Sequence, residues 1–374
     1  MNPNNYCLIL AGGLGSRLWP VSQSTLPKQF LDIGGAGRTL IQQTYDRISR
    51  TIDPNNIFVS TLEDYLPILD QQLPQLPRTQ VLAEPIRRGT LAPVAWATSA
   101  ISRICPDARI IITPADQIIY DPDIFDKDIM RGLDFVGTHD GVVTIGARPS
   151  RPETAYGYVQ AGEVVDEQAR IHRVKTFTEK PNSDFAQMFT ESGEFFWNTG
   201  LFLFGAHYML HNIIKHVPEY RDEFPELADL GMSAATDIVP KFYSALPNLS
   251  MEYAVLERTG HNYLLKCDFR WADVGSWQSL SSDITATHTQ FANNPRPASD
   301  VKADGRGNIT MHCEALFDNA EENIVSLSSG QQAVISGLKG YVIAERGGII
   351  MICPKDDPAA MRRLQTLAHM DALQ

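Results

Sequence analysis

Apolar, β-branched runs alternate with segments of helical period through the first half of the chain. The runs Cys7 to Ala11, Ile57 to Ser60, Gln80 to Ala83, Arg109 to Thr113 and Val142 to Ile145 each predict a strand. Between them, Thr39 to Arg50, Leu62 to Gln71, Thr90 to Ile104 and Ile124 to Val136 place apolar residues at helical spacing. Each is long enough, at roughly ten residues or more, to cross between parallel strands. The alternation predicts an α/β fold: a doubly wound core with a mostly parallel, Rossmann-like sheet. From about Ser150 the regularity fades. Strands at Tyr156 to Gln160, Ile171 to Thr178, Gly200 to Phe204 and Asn262 to Cys267, with a helix at Asn182 to Glu191, read as an insertion building the second wall of a cleft.

The polar stretch Thr285 to Asp300 interrupts every periodic pattern, so residues 285–300 are expected to link a domain of residues 1–284 to one of residues 301–374. Beyond it, Ile324 to Leu327, Ala333 to Ile335, Tyr341 to Ala344 and Ile349 to Cys353 are short strands between Gly and Ser turns, and helical signal returns only at Pro358. A small all-β domain is expected, with a few turns of β-helix as the best fit, although no repeat period stands out. A length of 374 residues accommodates a large domain and a smaller one. No stretch has the apolar length needed to cross a bilayer, and the polar start lacks a leader's pattern. The five cysteines are scattered without a C-x-x-C pair, as expected for reduced thiols in a cytoplasmic protein. A formal net charge of -12 argues against nucleic acid or an anionic membrane as partner. Small anionic substrates would need cations placed locally.

Such cations flank the first strand-to-helix connection, Leu10-Ala11-Gly12-Gly13-Leu14-Gly15-Ser16-Arg17-Leu18-Trp19-Pro20, followed by Pro27-Lys28-Gln29-Phe30. Three glycines after a buried strand let backbone N–H groups approach phosphate oxygens without a Cβ in the way. Two familiar phosphate loops do not fit. A dinucleotide motif from Gly13 and Gly15 would need glycine where Leu18 stands, and a P-loop would need Gly-Lys-Ser/Thr where Ser16-Arg17-Leu18 stands. Arg17 and Lys28 instead suit a triphosphate that must be neutralised while one phosphorus is attacked.

The run Ala11 to Pro20 with Pro27-Lys28-Gln29-Phe30 resembles the signature of sugar-1-phosphate nucleotidyltransferases, and its Leu18-Trp19-Pro20 ending resembles the mannose-1-phosphate guanylyltransferase branch. Further matches follow in that family's order over roughly the first 280 residues. They are Glu84-Pro85 with Arg88 and Thr90, Pro114-Ala115-Asp116, Tyr156-Gly157-Tyr158, Phe177 to Pro181, Trp197 to Phe202 and Asp273 to Trp277. The resemblance implies GTP and mannose 1-phosphate as substrates and Mg²⁺ or another divalent cation as cofactor. It implies nucleotide contacts from Leu10, Ala11, Gly12, Gly13, Gly15, Ser16 and Arg17, with Glu84, Pro85, Arg88 and Thr90 around the base. Gly157, Glu179, Lys180 and Asn198 would hold the sugar phosphate, and Asp116 and Asp273 the metal. Arg17, Lys28, Asp116, Lys180 and Asp273 would be the catalytic set.

These assignments are physically coherent. Asp116 should lie at the carboxyl edge of the sheet, where ligands of open α/β folds bind, and two carboxylates plus phosphate oxygens and water are what Mg²⁺ prefers. Singly, either aspartate reads equally well as a turn or cap residue, Glu179-Lys180 as a solvated strand end, Asn198 as an amide satisfied by backbone, and Gly157 as a bulge. The reaction implied is in-line attack of the sugar phosphate on the α-phosphorus, with pyrophosphate leaving. Bringing two anions to about 4 Å costs on the order of 4 kcal/mol per charge pair at an effective dielectric near 20, so counter-charge is the main requirement. Arg17, Lys28, Lys180 and the metal would supply it, and no protein nucleophile is needed. The histidines are assigned no role. Gln117 after Asp116, Ala155, the stretch Gly89 to Pro93 and Glu252 depart from the family's pattern, which leaves room for another base or sugar, or for a non-catalytic relative that binds nucleotide sugar. Self-association through the β domain is left open.

Overall fold

The computed structural model describes residues 1–220, 243–290 and 300–371. In chain order the first strands are β1 (Asn5–Leu10), β2 (Ile57–Leu62), β3 (Val81–Glu84), β4 (Arg109–Pro114), β5 (Gln117–Ile119) and β6 (Val142–Ala147). They are followed by β7 (Tyr158–Asp166), β8 (Ile171–Thr178), β9 (Phe195–Gly205), β10 (Asn262–Lys266) and β11 (Trp271–Asp273). The helices among them are α1 (Leu40–Ile48), α2 (Leu66–Gln72), α3 (Leu91–Ile104), α4 (Pro122–Val136), α5 (Ser183–Ser192) and α6 (Ala206–His216). The chain forms two compact units. One comprises Met1–Gly12, Thr44–Ala115 and Ile119–Trp271; the other comprises Gly13–Gln43, Asp116–Ile118 and Ala272–Gln374.

The first unit holds a nine-stranded sheet in the order β3-β2-β1-β4-β9-β6-β10-β8-β7. β1 runs parallel to β2 and β4, β2 to β3, and β6 to β10. β9, however, enters antiparallel between β4 and β6, and β7 and β8 extend the sheet antiparallel. The sheet is therefore mixed rather than mostly parallel. An apolar run carries no signature of strand direction, and β9 needs none of the crossover helices that mark parallel neighbours. Leu201 to Phe204 are all buried, as a central strand covered on both faces requires.

Helices cover both faces. Tyr6, Leu8, Phe58, Ile110, Phe202 and Phe204 pack with α3, α6 and the short helix Met251–Ala254 in one apolar cluster. On the other face Gly132 of α4 lies so close to Leu203 that an added Cβ would meet its Cδ2 at 3.1 Å. Burying each large aliphatic side chain contributes about 1.5–3 kcal/mol, which makes this sheet the rigid base from which the loops project.

In the second unit the strands β12 (Val301–Ala303), β13 (Ile309–Met311), β14 (Glu314–Asp318), β15 (Ile324–Ser326), β16 (Gln332–Ser336), β17 (Tyr341–Arg346) and β18 (Ile349–Pro354) form two sheets, β12-β13-β15-β17-β18 and β14-β16. β13, β15 and β17 are parallel, with Ile309 opposite Ile324 and Ile324 opposite Val342. Successive turns thus advance by 15 and then 18 residues, and this uneven step hides any period from the sequence. Asn308 and Asn323 stack in the turns, both buried. Asn323 donates from Nδ2 to Asn308 Oδ1 (3.0 Å) and to the Leu338 carbonyl (2.8 Å), and accepts from the Tyr341 amide (2.9 Å). Gly347 and Gly348, at φ +62° and +81°, reverse the chain into β18, which pairs antiparallel with β17.

The helix Trp277–Gln290 continues through residues 285–290, where a linker is expected from the sequence, and residues 291–299 lie outside the described residues. The C-terminal helix Pro358–Asp371 packs on β18 and on the 3₁₀ turn Ser16–Leu18. The strands beyond residue 300 are therefore part of the same compact unit as the glycine turn, where the sequence suggests a domain apart. No helix among the described residues is long and apolar enough to cross a membrane, and none of the five cysteines forms a disulfide.

Candidate active site

In the second unit the glycine turn is shaped by its neighbours. Gly15 has φ +64°, and a Cβ there would stand 2.4 Å from Ser22 Oγ and 2.9 Å from Lys28 Cγ, so only glycine fits. Gln29 donates from Nε2 to the Gly13 carbonyl at 2.9 Å and pins the turn's start. The amides of Gly13, Leu14, Gly15 and Ser16 donate to no described residue, and Ser16 and Arg17 are exposed. Unpaired amides of this kind form a concavity for anions.

Three of the expected residues meet beside it. The buried Lys28 ammonium lies 2.8 Å from Asp116 Oδ2 and 3.7 Å from Asp273 Oδ1, and it donates to the Val274 carbonyl at 2.7 Å. Burial pulls the lysine's pKa down, but Asp116 and then Asp273 outweigh it and the net shift is upward. Burial raises Asp273, and Asp116 adds to that, while Lys28 and Arg17 pull the other way. Arg17 is close as well: a Cβ on Gly275 would meet Asp273 Oδ2 at 2.7 Å and Arg17 Nη2 at 3.4 Å. Trp277 anchors the segment by donating from Nε1 to the Trp19 carbonyl at 3.1 Å, across a buried Trp19-Pro20 pair joined by a cis peptide. The motifs around Trp19, Lys28 and Asp273 are thus one interlocked structure. Among the described residues no three His, Cys, Asp or Glu side chains gather to hold a metal. The Asp116 and Asp273 carboxylates, both in reach of one Lys28 nitrogen, fit a Mg²⁺ ion that takes its remaining ligands from phosphate and water.

The base-side residues lie in the first unit. Glu84, the last residue of β3, is buried and accepts from Ser60 Oγ at 2.6 Å. Burial raises its carboxyl to about 7, against the opposing pull of Ser60 and Arg87. Gly12 backs onto it, since a Cβ there would lie 3.4 Å from Glu84 Oε1. Leu10 ends β1. Ala11 is buried, its amide donates to the Ser60 carbonyl (2.7 Å) and its carbonyl accepts from Thr61 Oγ1 (3.1 Å), so its backbone has no free donor for a nucleotide. Arg88 is likewise committed, donating to the Tyr243 and Ser244 carbonyls at 2.8 and 3.2 Å, and the Thr90 hydroxyl accepts from the Met251 amide at 2.9 Å. Its neighbour Arg87 is the arginine beside Glu84, donating to the Gly12 carbonyl at 3.2 Å and to Tyr65 Oη at 2.9 Å. Pro85 is half-buried between them. The unusual Gly89 has a reason: at φ +70° a Cβ would stand 2.1 Å from the Leu249 carbonyl oxygen.

The sugar-side residues also gather in the first unit. A Cβ on Gly157 would meet Glu179 Oε2 at 2.8 Å and Asn198 Nδ2 at 3.8 Å, so these three converge. Gly157 precedes β7 rather than bulging within it, and its carbonyl accepts from the Asn198 amide at 2.8 Å. Asn198 Oδ1 accepts from the Gly200 amide at 3.1 Å, which orients the amide group of its side chain. Glu179 and Lys180 form an exposed ion pair at the end of β8, and Lys180 holds φ +43°, a conformation uncommon for a side chain and concentrated at functional sites. Glu252, named in the sequence only as a departure from the family's pattern, joins them. Burial raises its carboxyl, Glu179 adds to the rise and Lys180 opposes it, which places Glu252 toward that pair. It stands in the first turn of the short helix Met251–Ala254, which Ser250 caps.

Mannose-1-phosphate guanylyltransferase of Escherichia coli (strain K12) is 32% identical to this chain over 363 residues, covering 94% of this chain and 70% of that protein. The protein of the same description from Klebsiella pneumoniae is 33% identical, over 90% of this chain and 69% of its own. Among solved structures, a mannose-1-phosphate geranyltransferase from Thermus thermophilus matches with a TM-score of 0.82 at 25% identity, covering 98% of this chain and 99% of that one. Residues 6–290 match the family described as Nucleotidyl transferase, and the chain is an enzyme belonging to that family.

Proposed function

We propose that this enzyme transfers the guanylyl group of GTP to mannose 1-phosphate in the cytoplasm, releasing pyrophosphate and forming GDP-mannose. The observation that carries the reading is the meeting of Lys28 with Asp116 and Asp273 beside the open amides of the glycine turn. The relatives that match along most of the chain bear that activity in their names. In this reading the Gly13 to Ser16 amides and Arg17 take the triphosphate, and Glu84 accepts from the guanine N1–H and 2-amino group. Gly157, Glu179 and Asn198 meet the mannose hydroxyls, and Lys180 holds its phosphate. Asp116 and Asp273 would hold Mg²⁺, which supplies charge neutralisation at the α-phosphate. A phosphate oxygen of mannose 1-phosphate forms the new bond to the α-phosphorus as the bond to the bridging α–β oxygen breaks, and pyrophosphate carries the electron pair away. Lys28 fixes the two aspartates and adds positive charge where the phosphates crowd. The paired strands beyond residue 300 are read here as a short β-helix.

Pyrophosphate release measured across a matrix of nucleoside triphosphates and sugar phosphates tests this directly. GTP with mannose 1-phosphate should give the highest kcat/KM, and Asp116→Ala should lower it by about a thousandfold or more, the scale of losing a preorganised electrostatic group. A preference for ATP or UTP with glucose 1-phosphate would favour another base and sugar, for which Gly89, Ala155 and Glu252 leave room. Binding of nucleotide sugar without turnover, unaffected by Asp116→Ala, would instead identify a non-catalytic relative.

A further inference from the structure

A second cleft, of about 410 Å³, opens in the first unit at the end of the sheet remote from Gly12 and Glu84. Its walls start where strands start. Asp140 precedes β6 and His261 precedes β10, and α6 follows β9, whose last residue Gly205 pairs with Arg109 at the beginning of β4. Gly12 instead follows the far end of β1, and Glu84 is the far end of β3. At roughly 3.3 Å per residue, a six-residue strand separates the two ends by about 20 Å. The cleft therefore opens at the opposite end of the sheet from Gly12 and Glu84.

Its chemistry is cationic. His207, His211 and Lys215 recur every four residues along one face of α6, and all three are exposed. Helix-end electrostatics account for Lys215 and His216 in the last turn, but not for His207 in the first turn, where the helix dipole opposes a cation. From the facing segment, Arg258 donates from Nη1 to the His216 carbonyl at 3.0 Å and rests 5.1 Å over the Tyr253 ring, so its guanidinium is held in place. His261 is stacked on Tyr208, with ring centroids 6.4 Å apart. Against these stands one carboxylate among the lining residues, Asp140. His216 Nε2 is buried and bonded to no described residue. Burial, then Lys215, Arg258 and His211, push His216 below its ordinary value. With no three-ligand metal group among the described residues, an anion is the occupant this arrangement suits.

We propose that the cleft binds a small phosphate-bearing anion, gripped by Lys215, Arg258 and His216 and assisted by His207 and His211. The test reads histidine ring resonances by NMR on the full chain with inorganic phosphate as probe and glucose 6-phosphate as a second arm. None of the residues assigned to the reaction is a histidine, so these signals report on the cleft even when phosphate also visits the active site. The His211 and His216 resonances should move and saturate at about millimolar phosphate, near the ordinary histidine pKa of about 6.5. Tighter saturation by glucose 6-phosphate would identify an ester as the preferred source, and equal saturation the free ion. The exposed pair His211→Ala with Lys215→Ala should weaken saturation at His216 by about tenfold or more while leaving turnover unchanged, as loss of charge-assisted hydrogen bonds predicts. Unmoved resonances, equal movement with chloride at matched ionic strength, unchanged saturation in the double variant, or a response to Zn²⁺ alone would each overturn the proposal.

Discussion

Glu84 carries a cost that a neutral side chain would not. Its folded-state carboxyl stands at about 7 against an ordinary value near 4.5, so the folded chain holds the proton more tightly than the unfolded one. The stability this adds is complete below about pH 4.5 and is lost as pH rises through about 7, amounting to about 3 kcal/mol by pH 8. Glu84→Gln should therefore be more stable than the parent at about pH 8 and close to it at about pH 5, as chemical denaturation at both values will report. The same variant should raise KM for GTP by about ten- to a hundredfold, the worth of hydrogen bonds to a charged acceptor. A variant with an unchanged pH slope would show that the buried carboxyl is not the group responsible. At this scale the sequence marks Lys28 as a cation for the triphosphate, whereas its nitrogen lies against Asp116 and Asp273. The sequence was misleading where two like residues are adjacent. Arg87 and Arg88 differ only in which carbonyls they can reach, and that depends on Gly89 turning the backbone against Leu249.

Among the elements, the parallel strands β13, β15 and β17 of the second unit depend on a few buried amides. Asn323 bonds three successive turns, through Asn308, Leu338 and Tyr341, and truncating it strands their polar groups away from water. Asn323→Ala is expected to cost about 2–4 kcal/mol, since each buried group left unpaired costs roughly 1–3 kcal/mol. Hydrogen exchange at the Tyr341 amide gives the local reading. If exchange there accelerates less than about threefold, the asparagine stack is not what joins the turns. Helices were the more legible elements because they declare themselves over many residues. α3 and α4 begin within a residue or two of where their apolar spacing begins. β5, β11, β12 and β13 are three-residue strands, β5 and β11 fixed by each other from far along the chain, and no local pattern of that length is distinctive.

For the molecule as a whole, a net charge of -12 means that anionic substrates are received by a few local cations rather than by a general field. Lys28 already pairs with both Asp116 and Asp273, so a divalent ion is not required to hold these carboxylates in the fold. Removing divalent cations with a chelator should abolish turnover and leave the unfolding midpoint within about 1 °C, less than the shift of roughly 1.3 °C expected for about 1 kcal/mol in a chain of this size. A larger drop would mean that a metal is structural. Chain-level organisation was the least readable part, because residues 13–43 and 116–118 fold with residues 272–374. Composition marks polar interruptions, whereas membership of a compact unit is decided by contacts between distant segments.

The glycine pair at 347 and 348 sets a limit on size. A ladder of parallel rungs has no natural last member, because its outermost strand offers the next the same pattern of donors and acceptors that it received. By doubling back there, the chain fills that outermost row with its own strand β18 and forfeits the repeat geometry in the same move. Extra rungs could be accommodated upstream of the reversal, but none can be added after it. Two residues without side chains thus act as the stop for the whole stack.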